Sequence, residues 1–347
     1  MSTGYLYEPL PDINAGRRLH LNENTGGCSP AVLRAIRRLT REDISTYPAY
    51  ERATEACAAA LGVDAGQVLL TNGLDEGILT VALAQLPRDG SGEAVVVEPA
   101  YGMFGPSARL AGARIVAVAP PPDLRFDLDA VRAAITPATR LVLLANPNNP
   151  TGAAVPRGDI LALAAAMPPG GAVFADEAYA DFEGHSVIGD VARTPNLYVG
   201  RTFAKAYGLA GMRIGCVVAQ AGAIRRLRGA IAPFSVNAFA AAALEAALAD
   251  RGHVEWYVSQ VRASREMLYD ACTRLGLAFW RSAANFVLVR VGNAPDIRAA
   301  LAARGIHVRD RSAAPGCEGC VRITAGWVAD TEACVAALEE VLCAGRR

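Results

Sequence analysis

The sequence around residue 205 surrounds one lysine with small and apolar neighbours. The stretch Arg201-Thr-Phe-Ala-Lys-Ala-Tyr-Gly-Leu-Ala-Gly-Met-Arg213 places Lys205 eight residues before Arg213. Burial disfavours the charged ammonium form, so a lysine in such surroundings loses its proton more readily. A neutral amine can attack an aldehyde and hold it covalently as an imine. Since most lysines are solvated surface charges, these residues alone leave both interpretations open.

A short apolar segment upstream ends in acidic residues. Val173-Phe-Ala-Asp-Glu-Ala-Tyr179 is typical of a buried strand that brings Asp176, and then Tyr179, to the C-terminal edge of an open α/β sheet, where ligands bind. A carboxylate there can keep a pyridine nitrogen protonated, which pyridoxal phosphate needs in order to act as an electron sink. The alternative is that Asp176 and Glu177 cap the following helix.

A second apolar segment runs into a loop rich in asparagine and proline. Leu141-Val-Leu-Leu-Ala-Asn-Pro-Asn-Asn-Pro-Thr-Gly152 begins as a strand and then loses any regular pattern. Asn149 could donate a hydrogen bond to the phenolate oxygen of the same cofactor, helped by Tyr179. An ordinary turn is the alternative, because asparagine and proline favour turns.

Together these three motifs resemble the fold-type I aminotransferases, and within them the histidinol-phosphate aminotransferase branch. The resemblance extends from about Leu19 to the final helix. It implies a fold of the α/β class: a large domain with a mostly parallel seven-stranded sheet flanked by helices, and a smaller α/β C-terminal domain. It also implies a pyridoxal 5'-phosphate-dependent transaminase that moves an amino group from a small-molecule donor, with histidinol phosphate as the first expectation, to a 2-oxo acid such as 2-oxoglutarate.

The resemblance assigns roles to the residues that would contact the ring of the cofactor. Lys205 matches the Schiff-base lysine, which also shuttles the proton between the substrate Cα and the cofactor C4′. Asp176 matches the partner of the pyridinium nitrogen. Asn149 and Tyr179 match the pair on the phenolate oxygen, and Tyr101 matches the aromatic residue that stacks on the pyridine ring.

The cofactor phosphate is expected at the start of a helix. Gly73, Leu74 and Asp75 match the turn whose backbone N–H groups face the phosphate, and a helix N-terminus is a general anion site. Thr202 and Arg213 match side chains that hold the same phosphate.

The resemblance also implies substrate contacts and a partner subunit. Arg322 matches the arginine that binds the carboxylate or phosphate of the substrate, where a planar bidentate donor suits either anion. Asn24 is expected to contact substrate as well. Tyr47 matches a tyrosine that reaches the cofactor phosphate of the neighbouring subunit, which implies a homodimer with shared active sites.

Two places depart from the family pattern. Ala204 stands where a serine usually contacts the cofactor phosphate, a loss of one hydrogen bond worth about 0.5–1.5 kcal/mol. Thr25, Gly26 and Gly27 stand where an aromatic residue usually helps to bind the substrate phosphate. An alternative therefore stays open: an aminotransferase, decarboxylase or oxidase of a specialised pathway that acts on an arginine-like or aromatic amino acid.

Composition narrows the class of partner. The 347 residues contain 34 basic and 34 acidic side chains, which predicts neither nucleic acid nor an anionic membrane as partner. The sequence contains no unbroken run of about eighteen apolar residues, so we expect no membrane span. Because residues 1–18 also lack an apolar run of signal-peptide length, we expect a cytoplasmic protein. Cys317 and Cys320 form a Cys-x-x-Cys pair, but further ligands at matched spacing are missing, so we expect no metal.

Apolar runs alternate with helical patterns, as is typical of a parallel sheet wrapped by helices. We expect an N-terminal segment (1–40) that packs with the small domain, a large cofactor-binding domain (41–235) and a small C-terminal domain (236–347). The predicted strands are 68–71, 94–98, 114–118, 141–144, 173–176, 197–201, 214–218, 286–291 and 321–324, and the principal predicted helices are 75–86, 103–111, 128–134, 157–167, 238–249 and 254–275.

Overall fold

The computed structural model of the protein describes residues 15–344, so the first part of the expected N-terminal segment lies outside the described residues. Each strand predicted from the sequence is present within one or two residues. In chain order the strands are β1 Arg17–Arg18, β2 Val68–Thr71, β3 Glu93–Val97, β4 Arg114–Val118, β5 Thr139–Ala145, β6 Ala172–Asp176, β7 Leu197–Thr202, β8 Gly215–Val218, β9 Ala278–Trp280, β10 Phe286–Arg290, β11 Ile306–His307, β12 Arg309–Asp310 and β13 Cys320–Thr324.

The helices begin and end where local chemistry favours it. The long helix α10 begins after Asp250, whose carboxylate accepts a hydrogen bond from the N–H of His253, and ends at Gly276 in the left-handed conformation. Within residues 15–344, no helix is long and apolar enough to cross a membrane. In chain order the helices are α1 Pro30–Ile36, α2 Arg41–Ser45, α3 Glu51–Leu61, α4 Leu74–Gln85, α5 Phe104–Leu110, α6 Leu128–Ala133, α7 Arg157–Ala166, α8 Ala221–Leu227, α9 Ala238–Ala249, α10 Arg251–Leu275, α11 Ala294–Ala302 and α12 Val328–Ala344.

The larger sheet has seven strands in the order β2-β8-β7-β6-β5-β3-β4. Strand β8 is antiparallel to both of its neighbours, whereas the other neighbouring pairs are parallel. The predicted mostly parallel seven-stranded sheet is therefore confirmed. As a consequence the carboxyl ends of β5, β6 and β7 meet at one edge of the sheet, where open α/β sheets bind ligands.

Helices cover both faces of the central part of this sheet, which explains why its strands consist mostly of apolar residues. Successive side chains of a strand point to opposite faces. Val173 and Ala175 of β6 therefore pack in the cluster that contains α3, α7 and α9, whereas Phe174 packs in the cluster that contains α4, α5 and α8. Parallel strands buried in this way need no polar alternation.

A second, antiparallel sheet has the order β12-β13-β10-β9 and belongs to a separate apolar cluster with α10, α11 and α12. The N-terminal segment joins this part of the molecule, because β1 pairs with β11 and Leu19 is buried in the same cluster. Arg322, at the centre of β13, is thereby held next to residues 17–22.

The packing of two helices favours domain boundaries other than the expected ones. Helix α9 was expected to open the small domain, but its residues Ala240 and Leu244 are buried in the cluster of the larger sheet, together with Val32 of α1. Helix α9 packs against α1 and α3 because nearly all its faces are apolar. We propose that the large domain includes α1 and α9 and that the small domain begins at α10.

Candidate active site

A cavity lies at the carboxyl ends of β5, β6 and β7, next to the N-terminus of α4. It contains about 550 Å³ of empty space, its open mouth included. Open α/β sheets bind their ligands at this edge. Nine residues singled out from the sequence line the cavity: Leu74, Asp75, Tyr101, Asn149, Asp176, Tyr179, Thr202, Lys205 and Arg213.

Lys205 follows β7 and points into this cavity. Its Nζ donates a hydrogen bond to the carbonyl oxygen of Leu21 at 2.9 Å and lies 5.9 Å from the centre of the Tyr179 ring. Burial, assisted by the positive charge of Arg322, lowers the pKa of Lys205 to about 8. Lys205 is also the single lysine of the sequence, a signal for its special role that the local motif did not use.

Asp176 is the last residue of β6 and is almost completely buried. It accepts a hydrogen bond from the N–H of Ala178 at 2.9 Å. Burial raises the pKa of Asp176 to about 7, because the ionised form is poorly solvated there. A cationic ring nitrogen placed against this carboxylate would favour the ionised form, so the site fits a protonated pyridine.

Two side chains of the cavity wall, Asn149 and Tyr179, are connected by hydrogen bonds to Arg322 behind them. Arg322 donates from Nη1 to Oδ1 of Asn149 at 2.6 Å, and Asn149 in turn donates from Nδ2 to the Tyr179 hydroxyl at 3.4 Å. Arg322 also donates from Nη2 to the carbonyl oxygen of His20 at 2.7 Å. Its Nε atom is buried without a hydrogen-bond partner among the described residues, so one donor of this guanidinium remains available to an anion.

The start of α4 forms a cradle for an anion. Gly73 precedes the helix with φ 74° and gives it no side-chain cap, so the first backbone N–H groups face the cavity edge. A Cβ atom at residue 73 would lie 2.6 Å from Nη2 of Arg213, so only glycine lets this guanidinium approach the turn. Arg213 Nη2 lies 3.4 Å from Oδ2 of Asp75, and the opposite carboxylate oxygen accepts from the Tyr101 hydroxyl at 2.7 Å.

Besides Gly73, which lies in the turn just before α4, three of the residues expected in the site are not among those that line this cavity in the described part of the chain. Asn24 donates to the carbonyl oxygen of Ala206 at 3.0 Å and accepts from the N–H of Gly26, so its amide is bonded to the turn that carries the lysine. Arg322 lies one side chain behind the cavity wall. Tyr47 is 79% exposed and stacks on Phe234 with ring centres 4.3 Å apart.

One of the small residues after Asn24, Gly26, has a packing reason. A Cβ atom on Gly26 would lie 2.8 Å from the Trp256 ring, which covers this loop from α10. The other departure, Ala204, lines the cavity beside Thr202 and contributes only a methyl group there. Sequence reasoning missed two contacts on the same wall: the Leu21 carbonyl on Lys205, and Asn22, which donates to the Tyr179 hydroxyl at 3.0 Å.

The Cys317–Cys320 pair is buried beside Leu124 and Leu288, away from the cavity. Burial raises the pKa of Cys317 to about 12, so its thiol behaves as a small apolar group. Among residues 15–344, no cluster of histidine, cysteine and acidic side chains has the composition of a metal site.

Comparisons with known proteins agree with this geometry. The family model for aminotransferases of class I and II matches residues 17–339. A histidinol-phosphate aminotransferase of Ralstonia nicotianae is 38% identical over 94% of this chain and 88% of its own, and one of Thiobacillus denitrificans is 38% identical over 94% and 85%. The crystal structure of histidinol-phosphate aminotransferase from Sinorhizobium meliloti, in complex with pyridoxal-5'-phosphate, superposes with a TM-score of 0.86 at 30% identity over 95% of this chain and 91% of that one.

The chain therefore belongs to the class I and II aminotransferase family. It is a fold-type I, pyridoxal-phosphate-dependent aminotransferase whose relatives belong to the histidinol-phosphate branch, and it acts on amino and oxo-acid substrates. The comparisons give no support to the decarboxylase or oxidase alternative.

Substitution of Ala204 by serine tests the phosphate cradle. A serine hydroxyl at this position would add one hydrogen bond to the phosphate, so we expect Ala204→Ser to lower the cofactor Kd about two- to tenfold. Thr202→Val is the matched opposite change and should raise this Kd. Equilibrium dialysis of the apoenzyme measures both, and an unchanged Kd in the two variants would contradict the assignment.

The lowered pKa of Lys205 predicts how the apoenzyme reacts with its cofactor. Only the neutral amine is nucleophilic, so the association rate with pyridoxal phosphate should rise with pH through a midpoint near 8, the folded-state pKa of this lysine. Stopped-flow absorbance from pH 6.5 to 10.5 records this profile. A midpoint near 10.5, the ordinary value, would show that burial does not activate Lys205.

Proposed function

We propose that this aminotransferase moves the amino group of histidinol phosphate to a 2-oxo acid such as 2-oxoglutarate. The observation that carries the proposal is a cationic cluster behind the cavity wall. Arg309 of β12 lies directly opposite Arg322 of β13, and side chains of opposed residues share one face of a sheet. The positive charges of Arg311 and Arg309 add to burial in lowering the pKa of Arg322 to about 10.

Such a cluster favours a doubly charged anion. Bringing like charges together destabilises each of them, and a bound phosphate relieves that repulsion more fully than a single carboxylate. A phosphate ester carries a charge of about −1.5 to −2 at pH 7. The names of the relatives in the histidinol-phosphate branch give the same substrate.

The assignment of roles follows the geometry of the cavity. We propose that Lys205 holds the cofactor aldehyde covalently, that Asp176 faces its ring nitrogen, and that Tyr101 covers its ring. Asn149 and Tyr179 would face the phenolate oxygen. The phosphate would be held by Gly73, Leu74, Asp75, Thr202 and Arg213.

The cofactor, when bound, supplies the electron sink that makes the Cα proton of the donor acidic. The residues of the chain do the remaining work. Lys205, neutral because it is desolvated, would take the proton from Cα of the substrate and return it at C4′. Asp176, ionised against a cationic ring, would stabilise the charge that the sink requires.

We also propose that the enzyme is a homodimer and that it is located in the cytoplasm. Tyr47 stacks on Phe234 and is strongly exposed. Such exposure suits a side chain that reaches the cofactor phosphate of a second copy. Asn24, on the loop packed against the Lys205 turn, is the remaining candidate for a substrate contact once donor is bound. All eight cysteines are free thiols, which is typical of a reducing compartment.

A donor panel tests the proposed function. The cofactor-loaded enzyme is mixed with histidinol phosphate, histidinol, histidine, arginine and phenylalanine, and the absorbance change of the half-reaction is followed. Histidinol phosphate should react with the highest kcat/KM. A faster reaction with an unphosphorylated amino acid would contradict the proposed donor while leaving the transaminase class intact.

The variant Arg309→Gln sharpens this test. Loss of one charge-assisted contact, worth about 1.5–3 kcal/mol, should raise the KM for histidinol phosphate roughly 10- to 150-fold. The reaction of histidinol, which has no phosphate, should be nearly unchanged. An equal rise in KM for both donors would show that Arg309 does not recognise phosphate.

A further inference from the structure

Asn22 lies far in sequence from the three cofactor motifs, yet it contacts their residues inside the molecule. It is 1% exposed, and its Nδ2 lies 3.0 Å from the Tyr179 hydroxyl, closer than Asn149 at 3.4 Å. We propose that Asn22 is a positioning residue: it fixes the Tyr179 hydroxyl so that the phenolic proton points into the cofactor cavity. The inference rests on the proposed role of Tyr179 at the phenolate oxygen and deepens it.

The direction of the hydrogen bonds on Tyr179 carries the argument. A phenolic hydroxyl has one proton and accepts through its oxygen lone pairs. Asn149 offers its NH₂ group to this oxygen, since its own carbonyl oxygen receives a hydrogen bond from Arg322, which can only donate. The orientation of the Asn149 amide is therefore determined by a charged neighbour.

Asn22 is held by Thr324. The Thr324 Oγ1 accepts from the backbone N–H of Asn22 at 3.1 Å and donates its own proton to Oδ1 of Asn22 at 3.2 Å. The Nδ2 group of Asn22 is then the end that faces Tyr179. With two donors on its oxygen, the Tyr179 hydroxyl directs its proton away from both, and the remaining open side is the cavity that Tyr179 lines.

The backbone of Asn22 connects this bond to Lys205. Asn22 has φ 55°, in the left-handed region that asparagine tolerates better than most residues. Asn285 donates to its carbonyl oxygen at 3.1 Å, which holds this turn. The preceding carbonyl, that of Leu21, accepts the hydrogen bond from Lys205 Nζ. A single turn thus contacts two residues proposed to bind the cofactor.

Two substitutions separate the amide from the turn. Asn22→Gly keeps a residue suited to the left-handed backbone and removes the side chain. Asn22→Asp keeps the shape, but an ionised carboxylate only accepts, so it would draw the Tyr179 proton out of the cavity. The Kd of the apoenzyme for pyridoxal phosphate should rise about two- to tenfold in Asn22→Gly, and at least as much in Asn22→Asp. The pH midpoint of the cofactor absorbance should move in both variants.

A double-mutant cycle with Tyr179→Phe decides whether Asn22 acts through the hydroxyl. In the Tyr179→Phe background, Asn22→Gly should change the Kd less than twofold and leave the absorbance midpoint in place. An equal rise in the Kd with and without the Tyr179 hydroxyl would overturn the proposal, since it would mean that Asn22 only supports the fold. Should Asn22→Gly fail to fold, Asn22→Asp carries the same comparison.

These measurements use the cofactor alone, without an amino donor. If the wild-type enzyme binds the cofactor and transaminates but the cycle is additive, the inference on Asn22 fails and the proposed function stands. If histidinol phosphate is not a donor but the cycle shows coupling, the proposed donor is rejected and the inference on Asn22 stands.

Discussion

In the mechanism that we propose, the chemistry depends on two ionisable groups that are buried in one cavity with their charges poorly solvated. Burial lowers the pKa of Lys205 to about 8 and raises that of Asp176 to about 7, so each group is pushed toward its neutral form. A neutral amine is what attacks an aldehyde, and a carboxyl group that lacks solvent gains most from a cationic partner. Pyridoxal phosphate has both an aldehyde and a ring nitrogen, so its binding would relieve the same desolvation that prepares the site for it.

Three other largely buried charges near the cavity, in contrast, are paired with each other. Just beneath the cavity, Arg201 at 7% exposure forms ion pairs with Glu177 and Asp181, and Glu177 also accepts from the N–H of Val187 and from the Ser186 hydroxyl. This network connects the ends of β6 and β7, the strand that ends at Asp176 and the strand that precedes Lys205. Removal of one partner would leave a buried charge uncompensated, which is strongly destabilising. Paired charges thus fix the two strand ends, and the poorly solvated groups remain available to the ligand.

The sequence predicted much of the larger sheet because its strands are buried on both faces and read as apolar runs that end in polar residues, as at Asp176. It did not predict the short strands β1, β9, β11 and β12, because strands of two or three residues carry too little local pattern. Nor did it select Asn22 over Asn24: both lie in one motif, and only the packing of β13 against residues 17–22 brings Asn22 to Tyr179, 157 positions away. The packing of α9 against α1 and α3 was not predicted for the same reason, since an apolar helix does not specify which core it joins.

The most direct test of the account is to identify the amine that binds the cofactor. Because Lys205 is the single lysine of the sequence, borohydride reduction of the cofactor-loaded enzyme, followed by proteolysis and mass spectrometry, has an unambiguous readout. The account predicts one cofactor per chain, attached to the peptide that contains Lys205, and none in Lys205→Arg. An enzyme that transaminates while its cofactor is attached to the N-terminal amine, or is not attached at all, would contradict it.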